Sequence, residues 1–404
     1  MTNGQARVKV KGGLMHQFAE MLFALGCILL LGLVTDLIGR RTFLPQVTLL
    51  LALGIVLGDE VLGVIPVILS DQFEFITNTA LMMIGFLLGG KLTIKSLMQS
   101  GRQLAWISLS AALGTTLIVA LVLLAVRVPL EIAILLGCIA AATAPAATYN
   151  TVLESGSKSR FSNMLLAIVA IDDVWALLLF SFGLALISLL SGMQGISVAL
   201  LGVSYEIGGA LVLGVLIGLP AAYLTGRLKP GNPMLTEALG LVFICGGAAI
   251  WLDVSFMIAV IAMGAVISNF ARHHDYPFHE IENIEWPFMV VFFILAGASL
   301  DIGMLNELGM IGAAYLLARI VGKLIGTWLG AWASRANLEI RHWMGFALLP
   351  QAGVAIGMAL LAATKFPEHR QSILSIVIST TVFFELIGPV FTLVAIRKTE
   401  KSTE

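Results

Sequence analysis

From residue 18 onward the chain is a succession of apolar segments of about 20 residues, separated by short polar or Gly/Pro-rich breaks. A bilayer core about 30 Å thick takes about 20 residues of helix to cross, and an open sheet cannot cross it at all. The spacing therefore dictates an all-α polytopic membrane protein. Thirteen helices are expected, near 18–38, 45–57, 73–90, 103–126, 131–152, 162–191, 204–224, 235–252, 254–270, 286–301, 309–333, 342–363 and 372–396. The second is short, and the eighth and ninth nearly fuse at Leu252-Asp253-Val254, so twelve is the competing count. Composition agrees: 12% of residues are charged, against about 25% in a soluble domain.

With the N-terminus outside and the C-terminus inside, fifteen Lys and Arg fall in inside loops and six outside. The positive-inside rule thus favours the odd count, and a cell-membrane location, the inner membrane in a bacterium, is expected. Residues 1–17 read as a polar, basic tail without a small-residue cleavage signal, so the first helix is expected to be retained. The tail 397–404 is short, and no appended soluble domain is expected. A net charge of −1 argues against nucleic acid as a partner. Cys27, Cys138 and Cys245 lie singly in apolar segments and read as core residues. His273-His274-Asp275 with His279 reads as a solvated loop rather than a metal site. No nucleotide-binding, hydrolase or metalloprotease motif occurs, so neither an enzyme nor a cofactor is expected.

Two of the helices are interrupted. The fifth carries Thr143-Ala144-Pro145-Ala146-Ala147-Thr148, and the twelfth carries Pro350-Gln351-Ala352-Gly353. Equivalent segments an odd number of helices apart run in opposite directions, which predicts two inverted repeats, helices 1–6 and 8–13, joined by a linker helix at 204–224. Irregular backbone at this depth is tolerated only inside protein or beside a water-filled cavity. The two broken helices are expected to cross near the midplane, with opposed dipole ends.

Five ionisable residues lie deep in these helices: Asp172 and Asp173 in the sixth, Arg319 and Lys323 in the eleventh, Glu385 in the thirteenth. Each ionised acid near the bilayer centre costs about 2.5–3.5 kcal/mol on insertion scales. Arg319 and Lys323 are four apart and share a helix face. Three acids against two bases leave the group one positive charge short, room for one monovalent cation or one proton. Adjacent aspartates point about 100° apart on a helix of 3.6 residues per turn, so they take different roles. Arg319 is expected to support the site or to neutralise Glu385, whose carbonyl loses its helical donor to Pro389.

These segments resemble the cation:proton antiporter-2 family, the sodium/proton exchanger and Kef-like membrane domain. The resemblance rests on Ile171-Asp172-Asp173 after a broken helix, on Arg319-Ile320-Val321-Gly322-Lys323-Leu324-Ile325-Gly326, and on Leu349-Pro350-Gln351-Ala352-Gly353-Val354-Ala355. Phe292–Leu300 and Glu385-Leu386-Ile387-Gly388-Pro389 are similar too, so the resemblance spans residues 18–396. It implies a homodimer, with scaffold helices at 18–101 and 235–301 and core helices at 103–191 and 309–396. It makes Asp173 the acid that binds the transported monovalent cation, with Asp172 beside it paired to Lys323. Thr143, Ala144 and Pro145 would line the ion site with Gln351, which departs from relatives that carry an acid nearby.

The expected activity is monovalent cation:proton antiport, Na⁺ first, electrogenic and by an elevator-like slide of core against scaffold. In that cycle Lys323 gives up a proton when Asp172 turns to the ion, and transport switches with pH. The alternatives are a K⁺/H⁺ antiporter or Kef-like potassium efflux protein, and a sodium-coupled organic anion symporter. Membrane lipids, monovalent cations and protons are the expected partners.

Overall fold

The computed structural model describes residues 2–39, 41, 44–58, 61–70, 72–190, 196–225, 234–271, 275–299, 309–351 and 354–401. Among the described residues the secondary structure is helical, without strands. In chain order the helices are α1 (Thr2–Gly39), α2 (Gln46–Leu57), α3 (Val67–Ser70), α4 (Phe73–Lys91), α5 (Ile94–Ala125), α6 (Leu130–Ala140), α7 (Pro145–Ser155) and α8 (Arg160–Leu190). There follow α9 (Ile196–Thr225), α10 (Met234–Trp251), α11 (Phe256–Phe270), α12 (Asp275–Ala298), α13 (Gly309–Ala333), α14 (Leu338–Ala347), α15 (Val354–Lys365) and α16 (Arg370–Lys401). Eight helical stretches are long and apolar enough to cross a membrane, and five apolar helices are shorter, among the described residues. Leu130–Ser155, which contains α6 and α7, counts as one of the eight.

The predicted near-fusion at residues 252–254 resolves into a clean break. Asp253 takes a left-handed φ of 53°, which a short polar side chain tolerates, and the Ser255 hydroxyl caps α11 by accepting from the Ile258 N–H at 3.4 Å. Several starts were misplaced by the apolar criterion: the fourth expected helix begins at Ile94 rather than 103 and the seventh at Ile196 rather than 204. The first helix begins at Thr2, inside the predicted tail, and the tenth begins at Asp275, which puts His279 in a helix rather than a loop. Helix formation needs no apolar residues, so a hydropathy boundary marks the membrane edge and not the helix end. Arg40, Asp59, Glu60, Asp71, Arg227, Lys229, Arg272, His273, His274, Leu300, Asp301, Ala352 and Gly353 lie outside the described residues.

The chain divides into two compact units. In the smaller, Met1–Ala80 with Ile284–Leu300, α2 and α12 meet backbone to backbone. A Cβ on Gly54 would strike the Ile294 carbonyl, and one on Gly297 the Leu51 carbonyl.

In the larger unit, Leu81–Asn283 with Asp301–Glu404, α5 and α13 make the closest helix pair. Gly322 faces Thr115, Gly326 faces Ala111 and Gly114, and Gly330 faces Trp106 and Ile107. Partners fall along α5 as positions rise along α13, so the two helices are antiparallel. Glycine every fourth residue is the small-residue stripe that lets membrane helices approach this closely. Both helices end in the same cap. Arg127 (φ 67°) and Arg335 (φ 57°), 208 residues apart, are left-handed. Their N–H groups donate to Leu124 and Trp332, and those of Val128 and Ala336 reach back to Leu123 and Ala331. That is the Schellman pattern, repeated at the same offset. Antiparallel counterparts with matching caps are what an inverted repeat requires, and α6–α7 and α14–α15 follow them as the two broken helices.

The breaks touch. After α6 ends, Ala144 is extended and its N–H donates to the Pro350 carbonyl at 2.9 Å. Pro145 then opens α7, where its missing N–H costs nothing. On the second break the Thr392 hydroxyl of α16 donates to the Ala347 carbonyl at 3.0 Å.

Candidate functional site

A broken helix leaves carbonyls at the end of its first half without donors, and that end carries partial negative charge. Here two buried cations of α13 take them up. Arg319 donates through Nε to Ala140 O (3.1 Å), through Nη1 to Leu349 O (2.7 Å), and through Nη2 to Ala142 O (2.9 Å) and Pro350 O (3.5 Å). Its guanidinium thus joins the carbonyl ends of both breaks, and the ring of Phe384 lies 4.1 Å from its carbon. Lys323, one turn on, donates to Ala141 O at 2.6 Å, to Thr143 Oγ1 at 2.8 Å and to Asp172 Oδ2 at 2.9 Å. All three ammonium hydrogens are used. The close approach of α13 to α5 at Gly322 and Gly326 is what brings these two residues to that depth.

The predicted site residues separate into groups. Asp172, Lys323 and Thr143 form a closed triangle, since the Thr143 hydroxyl also donates to Asp172 Oδ2. Ala144 and Pro145 form the turn beneath it. Gln351, fully buried, reaches across from the second break: its Nε2 lies 3.4 Å from the Ile139 carbonyl and 3.4 Å from the Tyr315 hydroxyl. Asp173 is 2% exposed, and neither of its carboxylate oxygens has a hydrogen-bond partner. It lies within electrostatic reach of both Asp172 and Lys323. Trp175 holds the register of α8 two residues on, its Nε1 donating to Ser108 Oγ of α5 at 3.1 Å.

Glu385 stands apart. Among the described residues no ion pair joins it to Arg319, whose hydrogen bonds go to carbonyls instead. The charges gathered at the breaks are therefore two acids and two bases, balanced while both aspartates are ionised. No cluster of three His, Cys, Asp or Glu suited to a metal occurs among the described residues; His279 Nδ1 lies 3.3 Å from Glu282 Oε2 within α12.

Charge counting missed three contributors. The carbonyls of Ala140, Ala141 and Ala142 become acceptors only once the helix breaks, so no side-chain inventory shows them. Tyr315, whose hydroxyl meets Gln351, carries no sequence signal that sets it apart from its apolar helix. The glycines at 322, 326 and 330 were visible as a spacing of four, the one available signal.

The transmembrane sodium/hydrogen exchanger family matches residues 26–397. Among curated relatives, the chain is 24% identical over 356 residues to "Ammonium/H(+) antiporter subunit AmhT" of Alkalihalophilus pseudofirmus, covering 85% of this chain and 86% of that one. It is also 24% identical over 386 residues to "Probable Na(+)/H(+) antiporter GerT" of Bacillus cereus, covering 89% and 94%. Its fold is similar to that of the sodium proton antiporter MjNhaP1 of Methanocaldococcus jannaschii, with a TM-score of 0.69 at 20% identity over 93% of this chain and 99% of that one.

Proposed function

The chain belongs to the sodium/hydrogen exchanger family, and we propose that it exchanges a monovalent cation, Na⁺ by preference, for protons across the cell membrane. One observation carries this reading: Asp173 is a buried carboxylate with no hydrogen-bond partner, next to an Asp172 that already has Lys323 and Thr143. A dry carboxylate whose oxygens no donor in the fold satisfies is open to a ligand from outside it. A proton and a small cation can each fill that place in turn, and a site that takes one or the other couples their movements. The Lys323–Asp172 bridge holds the neighbouring acid out of that competition.

In this reading the core helices at 103–191 and 309–396 slide in an elevator-like motion against scaffold helices at 18–101 and 235–301, in a homodimer with the C-terminus in the cytoplasm. Two protons for one cation would move one charge, and at about 2.3 kcal/mol per charge per 100 mV the membrane potential would drive cation efflux. The relatives named for sodium support Na⁺ as the first candidate; the one named for ammonium makes NH₄⁺ the competitor to test.

The experiment is reconstitution in vesicles with an internal pH-sensitive dye, followed by addition of Na⁺, Li⁺, K⁺ or NH₄⁺. Cation-dependent proton flux is expected for Na⁺, and Asp173→Asn should abolish it. Full flux in that variant would overturn the site.

A further inference from the structure

One more acid at membrane depth has no role in the site described above. Glu385 lies near the middle of α16, partly buried, with no hydrogen bond or ion pair among the described residues. Its neighbours fasten α16 to the second break on either side of it. Phe384 covers the Arg319 guanidinium at 4.1 Å, and a Cβ on Gly388 would stand 2.6 Å from Pro350 Cα. Glu385 is within one helical turn of both contacts along the axis. Pro389 has no N–H, so the Glu385 carbonyl lacks its helical donor. Thr381, one turn earlier on the same face, is fully buried with an unpartnered hydroxyl. A stripe of oxygen acceptors without protein donors thus runs along α16 through Glu385.

The repeat gives that stripe a meaning. At the 208-residue offset that relates Arg127 to Arg335, Asp173 corresponds to Thr381. The first repeat carries its unpartnered acid at that position, and the second carries one a single turn further on. Lys323 is the other group that could give up a proton in the cycle. Deprotonated, it would keep two N–H groups for three acceptors now at 2.6–2.9 Å, orphaning one of them in a dry site.

Resting on the exchange reading above, we infer that Glu385 is a second proton carrier of the transport cycle. In one direction the protein turns over with protons on both Asp173 and Glu385. In the other it carries the cation on Asp173 with Glu385 ionised, its proton released to the water on the side where the cation enters. Two protons cross against one cation, and one net positive charge moves with the protons.

The test is the coupling ratio, read in vesicles with an internal pH dye. A Na⁺ gradient is imposed, the membrane potential is set with K⁺ and valinomycin, and the potential at which proton flux vanishes is found. The wild type is expected to balance at about two protons per Na⁺. Glu385→Gln should exchange about one proton per Na⁺, with Na⁺-dependent flux retained at every potential and no potential that nulls it. Glu385→Asp, which keeps a carboxyl, should stay with the wild type. A purely structural glutamate would alter detergent stability and leave the ratio alone. If Glu385→Gln does not yield monodisperse protein, Glu385→Ser serves as the second non-titrating variant. A Gln or Ser variant that still balances at the wild-type ratio overturns the inference, as does a wild type that already exchanges one proton per Na⁺. Absence of any Na⁺-dependent flux in the wild type overturns the exchange reading itself, a result distinguishable from either.

Discussion

Replacing Lys323 with methionine keeps an unbranched side chain, one atom shorter, and removes its ammonium, so three acceptors lose a donor at once: Ala141 O, Thr143 Oγ1 and Asp172 Oδ2. Lys323 and Asp172 are both 0% exposed, so water neither screens the pair now nor hydrates the survivor afterwards. Removing one member of a buried pair costs about 3–5 kcal/mol, because the other charge is left uncompensated. Asp172 would keep only the Thr143 hydroxyl, which puts Lys323→Met toward the upper part of that range. Adding Asp172→Asn removes the stranded charge, and what remains is chiefly the unsatisfied Ala141 carbonyl, about 1–3 kcal/mol. The double variant is therefore expected to be more stable than Lys323→Met alone by about 2–3 kcal/mol, so the two substitutions do not add. Unfolding of the four detergent-solubilised proteins, followed by the fluorescence of the seven tryptophans, measures each corner. A Lys323→Met variant within about 0.5 kcal/mol of the wild type would refute the argument. So would a double variant destabilised by the simple sum of the two singles.

Asp173→Asn should lose cation-coupled proton flux yet unfold no more easily than the wild type, since it deletes an unpartnered buried charge; a large loss of stability would mean the carboxylate is held by the fold after all. Thr143→Val removes the hydroxyl between Asp172 and Lys323 and should cost about 1–3 kcal/mol, with Thr143→Ser close to neutral in the same unfolding assay. Gly326→Val would bring a Cβ to 2.5 Å from Ser110 O and 3.2 Å from Ala111 Cα. Forcing α13 off α5 in this way should cost about 1–3 kcal/mol and abolish flux, whereas the same change at Gly240, which has no atom within 4 Å, should leave both intact.

Much of the architecture was readable because membrane helices advertise themselves. Pro145 and Pro350 inside apolar runs gave away both breaks, and their separation gave the inverted repeat. The site was readable in part. Two aspartates in an apolar helix could not be ignored, but the assignment of Asp172 to Lys323 came with the family motif, since no periodicity reaches across the 151 residues between them. Arg319 shows where side-chain reasoning stops. Looking only at formal charges, its natural partner was Glu385; in the fold its donors go to four carbonyls that exist as free acceptors only because two helices are interrupted. Counting Glu385 into the cluster gave a deficit of one charge, and separating it leaves the four charges at the breaks balanced. The extent of α1 and α12 beyond their apolar cores was hidden for a different reason: a polar helix outside the bilayer leaves no hydropathy signal.

The bonds from Arg319 and Lys323 to the first break span 177 to 182 residues of chain. During synthesis, the carbonyls of Ala140, Ala141 and Ala142 therefore leave the ribosome long before the side chains that will hold them. In hydrocarbon each such group costs several kcal/mol. Until α13 arrives, the segment must either stay in contact with water or remain an unbroken helix. The first half of this chain is thus an unfinished object in the membrane, and the insertion of one late helix completes it.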